Sequence, residues 1–195
     1  MGGEAIEAVR VGLGDMISFL RQEPQALETV HICIITFASA AKVVTPLVEL
    51  TEYQAPKITA RGKTALGAGL TLLAERMKTD LVQSTPDAKG DWKPLVFLIT
   101  DGGPSDDWQE GLAQFRKRKV AVFVAFALGR HVHLDVLKKI TPDVVSSADS
   151  TALKVYFKWV TSSISVRSQS VDRGQADTAG LNQLPPPPPE IMVVL

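Results

Sequence analysis

Residues Leu95–Thr100 read Leu-Val-Phe-Leu-Ile-Thr, and Asp101-Gly102-Gly103-Pro104 follows them as a turn. A run this apolar has no side suited to water, so as a strand it must be covered on both faces. Val30–Phe37 (VHICIITF) has the same character. Between and beyond these runs lie helical patterns. Ile6, Val9, Leu13, Ile17 and Leu20 recur at three- and four-residue spacings over Glu4–Gln22, and Pro24 is expected to close that helix. Lys42–Leu50 reads as a second strand joined to the first by the short Ala38–Ala41 turn. So tight a link implies an antiparallel hairpin, because parallel neighbours need a long crossover.

After a loop at Thr51–Lys63, the pattern predicts a helix over about Thr64–Lys78, then a polar surface loop over Asp80–Lys93. Beyond Leu95–Thr100 it predicts a helix at Asp107–Arg118, a strand at Val120–Leu128 and a short helix at His133–Ile140. A short strand at Val144–Ser146 and a last helix at Thr151–Ser165 complete it. Helices alternating with strands argue for a mostly parallel sheet covered on both sides. The composition agrees: 45% hydrophobic and 22% charged residues suit a globular core. A formal net charge of +0 gives no field that would draw nucleic acid or an anionic membrane. No apolar run approaches the roughly 20 residues that span a bilayer. The N-terminus lacks the basic-then-apolar pattern of a signal peptide, and Ile6 stands where a myristoylation motif wants Ser or Thr. The single cysteine, Cys33, reads as a buried small hydrophobe and suggests a reducing compartment.

The chain divides at about Arg167, giving residues 1–166 as an α/β domain and residues 167–195 as a tail. The tail is small and polar, then carries five prolines at Pro185–Pro189, and ends on the apolar Glu190–Leu195 (EIMVVL). Prolines in a row form a stiff polyproline II rod.

In sheets of this kind ligands bind beyond the carboxyl ends of the strands. Two segments reach that rim: Arg61-Gly62-Lys63-Thr64-Ala65-Leu66-Gly67 and Leu98-Ile99-Thr100-Asp101-Gly102-Gly103. A Thr64 hydroxyl and an Asp101 carboxylate converging there are hard oxygen ligands, suited to Mg²⁺. Equally, Thr64 could cap its helix and Asp101 could start a turn.

Gly62-Lys63-Thr64-Ala65-Leu66 and Ile99-Thr100-Asp101-Gly102 resemble two of the three loops of the metal-ion-dependent adhesion site in von Willebrand factor A domains. The likeness covers about Met1 to Ile164 and is nearest to the bacterial tellurium-resistance TerY-like branch, through Gly3-Glu4-Ala5-Ile6-Glu7-Ala8 and Thr36-Phe37. It implies a three-layer α/β/α fold with a mostly parallel sheet and one antiparallel edge strand. It implies a non-enzymatic module that binds a protein partner through Mg²⁺, held here by Thr64 and Asp101, with the partner donating a carboxylate. Kinase-like and phosphatase proteins of a cytoplasmic tellurite-resistance or stress-response system are the implied partners. The family's first strand and its Asp-x-Ser-x-Ser loop would lie before Met1, so about 12–20 further residues are expected upstream. Mg²⁺ binding is expected to be weak or absent without them. The vacancy left in the sheet could be filled by Ile191–Leu195, within one chain or by self-association. Alternatively, those residues are disordered or cover an edge of the sheet.

Rival readings remain open. Gly62-Lys63-Thr64 mimics the end of a phosphate-binding loop, which would make the crevice that of a nucleotide-binding or hydrolytic enzyme. Lys57 stands where that motif needs its first Gly, however. The tail could serve a purely structural assembly unit. His131-x-His133 reads as exposed imidazoles rather than a metal pair, and Arg116-Lys117-Arg118-Lys119 as a helix end. Trp108 is either a lid over the core or an interface anchor, and Asp106-Asp107 lie beside it on the binding face.

Overall fold

The structure is a computed structural model that describes residues 2–59, 62–171 and 184–194. Six helices and six strands alternate along them. They are α1 (Gly3–Leu20), α2 (Pro24–Thr29), β1 (His31–Phe37), β2 (Ala41–Glu49), α3 (Leu66–Asp80) and β3 (Leu95–Thr100). There follow α4 (Trp108–Phe115), β4 (Val122–Leu128), α5 (Leu134–Ile140), β5 (Asp143–Ser147), α6 (Ala152–Val171) and β6 (Met192–Val193). Met1, Arg61, the polar stretch at 172–183 and Leu195 lie outside the described residues.

Strand β4 shows why an unbroken apolar run is needed. All seven of its residues are buried, and alternate side chains go to opposite layers. Val122, Val124, Phe126 and Leu128 pack with α1 and α6 through Ile17, Leu20, Leu153 and Tyr156. Phe123, Ala125 and Ala127 pack with α3, α4 and α5 through Leu70, Leu112, Phe115 and Leu137. Helix α1 comes close to α6 because Gly12 has no side chain; a Cβ there would overlap the Phe157 ring.

Strands β3, β4 and β5 run parallel, joined by α4 and α5. Strands β1 and β2 form the antiparallel hairpin that the short link requires. The sheet is in two pieces, β1–β2 and β3–β4–β5–β6. Among the described residues no strand pairs with the second side of β1 or of β3. Both strands are accordingly half-buried over most of their length, although their composition suits full burial. Cys33 shares this fate: it is half-buried rather than buried.

Two expectations need correcting. Pro24 does not merely end α1; it opens α2 as its first residue, where its missing N–H costs nothing. Of the two readings of the tail, filling a vacancy beside β1 does not hold, and covering an edge of the sheet does. Met192–Val193 pair antiparallel with Val145 and Ser146 on the outer edge of β5. The α/β fold with its antiparallel edge strand is as expected, β2 being that strand, and the tail adds a second antiparallel pairing, β5–β6.

Candidate functional site

The carboxyl ends of β3, β4 and β5 open onto one rim. Thr100 ends β3, and its buried hydroxyl donates to the Gly102 carbonyl at 3.2 Å, which turns the chain immediately after Asp101. Asp101 is half-buried there.

Thr64 is brought to the same place. Its backbone N–H donates to the Ser105 hydroxyl at 3.0 Å, and the Ser105 N–H donates to its carbonyl at 2.9 Å. A Cβ built on Gly102 would lie 3.2 Å from the Thr64 hydroxyl oxygen, so that hydroxyl rests against the residue following Asp101. The two predicted site residues therefore share one corner of the rim. Gly62 enables the approach: its φ of +94° lies in the left-handed region, and a side chain there would collide with Ser39.

Thr64 is not the cap of α3. The N-cap position is Ala65, without a side-chain cap. The first turn is instead held by Asp106, whose two carboxylate oxygens accept the N–H groups of Gly67 and Ala68, each at 2.9 Å. Asp107 caps α4 through Gln109 and Glu110. Asp106 and Asp107 thus hold the starts of α3 and α4. Ser105 and Asp106 were not legible as supports, since each acts on a segment about forty residues earlier. Gly67 and Gly111 let α3 and α4 cross closely enough for this, because a Cβ on either would meet backbone of the other helix's segment. Trp108, the first residue of α4, is half-buried against the core cluster that α3 and α4 share.

Beside Asp101 lies an open cleft of about 460 Å³ lined by Ala5, Gly129, Arg130, His131, Asp149 and Ser150, among others. The Thr151 backbone N–H, at 2.9 Å, and then its side chain hold the Asp149 carboxyl below the usual range. His131 lines this cleft and His133 lies against Gly103, both of them exposed. Arg116 donates to the Lys139 carbonyl at 2.8 Å, tying the end of α4 to α5.

A metal finds a partial donor set. Thr64 and Asp101 are suitable oxygens, but among the described residues no three His, Cys, Asp or Glu side chains gather to hold an ion. Mg²⁺ wants six oxygens and sheds water reluctantly, so this pair alone does not make a tight site. The phosphate-loop reading lacks its frame, because β2 ends at Glu49 and no strand leads into Gly62 among the described residues.

The profile of the von Willebrand factor type A domain matches residues 1–159. The chain belongs to this family. Proximal thread matrix protein 1 from the mussel byssus superposes with a TM-score of 0.61 at 16% identity, covering 82% of this chain and 42% of that one. A von Willebrand factor type A protein from Catenulispora acidiphila gives 0.55 at 19% identity, covering 77% and 38%. The ArnB paralog VWA2 from Sulfolobus acidocaldarius gives 0.54 at 13% identity, covering 81% and 40%. The chain thus spans about two fifths of each of these proteins, and the likeness is one of fold. No curated protein sequence matches it. Type A domains are generally non-catalytic interaction modules. No helix among the described residues of this A domain is long and apolar enough to cross a membrane.

Proposed function

We propose that this A domain is a non-enzymatic protein-binding module that meets its partner at the rim formed by Thr64, Asp101 and the adjoining cleft. One observation carries the reading. The Ser105 and Asp106 bonds present the Thr64 hydroxyl beside Gly102 without using it as a helix cap. A scaffold that spends other side chains on capping leaves the hydroxyl for a ligand. Thr64 and Asp101 would be this chain's two oxygens toward Mg²⁺, and a carboxylate from the partner would add another. Calorimetry should find Mg²⁺ held on the order of millimolar or more weakly by the chain alone. Micromolar binding would contradict the two-ligand assignment.

The likeness of Gly3–Ala8 and Gly62–Gly67 to the TerY-like branch supports a cytoplasmic tellurite-resistance or stress-response setting with kinase-like and phosphatase partners. The test is co-purification from the source cells with wild-type and Asp101→Ala chains as bait, with and without EDTA. A partner retained by wild type and lost from Asp101→Ala supports the rim. Equal retention by both places the interface elsewhere and overturns it. Turnover of an added nucleotide would favour the hydrolytic enzyme instead.

A further inference from the structure

A second surface, separate from the rim, is already occupied by the chain itself. Residues 184–194 lie along α6 and the outer edge of β5, and each contact is of a kind that reads an extended peptide. The Trp159 indole N–H donates to the Pro185 carbonyl at 2.7 Å, while the ring is buried. Leu184 and Ile191 are buried in the core layer of α1 and α6, only 7% and 3% exposed. The Ile191 N–H returns to the Pro188 carbonyl at 3.0 Å, a turn that redirects the chain from the proline run onto the sheet. Met192 and Val193 then add a strand to β5, and the Val194 N–H donates to the Val144 carbonyl at 2.9 Å. An indole donor to a proline carbonyl and strand addition to an open edge are two established ways of binding peptides. Here they stand side by side, with a side-chain pocket at each end.

We propose that the β5 edge and Trp159 form a peptide-binding groove. Its ligands are proline-rich segments followed by a short apolar strand, and the chain's own tail is its built-in occupant. Pro185–Pro189 is pre-ordered as an extended rod, so docking costs it little backbone entropy. Glu190 is the one charged side chain between Leu184 and Leu195, so recognition is apolar and backbone-directed and should respond little to salt. Because the segment belongs to the same chain, its effective concentration at the groove is on the order of millimolar. A free peptide of the same class therefore competes poorly with it until the tail is released.

The test keeps every residue of the folded protein. A protease site is placed within 172–183, the tether is cut, and a labelled synthetic peptide of residues 184–195 is added at micromolar concentration. Cutting should let the labelled peptide replace the resident segment, raising its apparent affinity at least tenfold over the uncut chain and shifting the Trp159 fluorescence. An Ile191→Asp peptide should fail to enter. Trp159→Phe in the cut protein should weaken the wild-type peptide by about tenfold, the loss expected for one buried hydrogen bond. Equal binding before and after cutting, equal binding of the Ile191→Asp peptide, or a resident segment that never exchanges would each overturn the proposal. The last outcome would make the tail a fixed part of the core.

Discussion

Replacing Asp106 with alanine tests whether the rim is held as described. The substitution removes both acceptors of the Gly67 and Ala68 N–H groups, each now bonded at 2.9 Å. A hydrogen bond to a charged group contributes about 1.5–3 kcal/mol, while loss of a helix N-cap costs about 0.5–2 kcal/mol in practice. Asp106 is half-buried, so water can replace part of what is lost. The two bonds together are therefore worth about 2 kcal/mol. At this chain length that lowers the melting temperature by about 4–8 °C. Asp106→Asn keeps one acceptor oxygen and should lose about half as much. Urea denaturation of wild type and the two variants measures both. A stability for Asp106→Ala within about 0.5 kcal/mol of wild type would refute the clamp, and with it the account of how Thr64 is positioned.

Gly67→Ala should destabilise by about 1–3 kcal/mol, although alanine normally favours a helix, because its Cβ meets the Asp107 carbonyl and the Trp108 backbone. Gly14→Ala, with nothing within 4 Å of its Cβ, should stabilise by about 0.5–1 kcal/mol, and matching signs in thermal melts would contradict the packing. Burial pushes the Cys33 thiol up, Asp80 adds to the shift and Arg76 opposes it. The protonated thiol is therefore the form the fold favours, and its contribution to stability fades as pH rises through the raised value. Reaction of Cys33 with a disulfide reagent should stay slow through neutral pH; a rate profile centred at or below that of free cysteine would sink this reading.

The strands were legible because their signal is local. Leu95–Thr100 has the same bounds in sequence and structure, and β1 differs from Val30–Phe37 by one residue. Thr64 and Asp101 stood out in the sequence because each sits beside glycine where a predicted element begins or ends. What failed was long-range or two-valued. Ser105 and Asp106 look like ordinary turn residues until the fold brings α3 to them. Pro24 carries the same sequence signature whether it stops one helix or begins the next. Ile191 and its neighbours announced an apolar strand, but only the strand order reveals that β5 has the edge they cover.

The division of the sheet grades how its backbone meets solvent. Strand β4 is bonded on both sides and buried throughout, so its amides can exchange only when the domain opens around them. On β1 and β3, the amides facing away from β2 and β4 have no ladder partner among the described residues. They need no such opening, and deuterium would label them long before it reached β4. A further strand on that side would move β1 and β3 into the slow class with β4, so hydrogen exchange reads directly whether those ladders are closed.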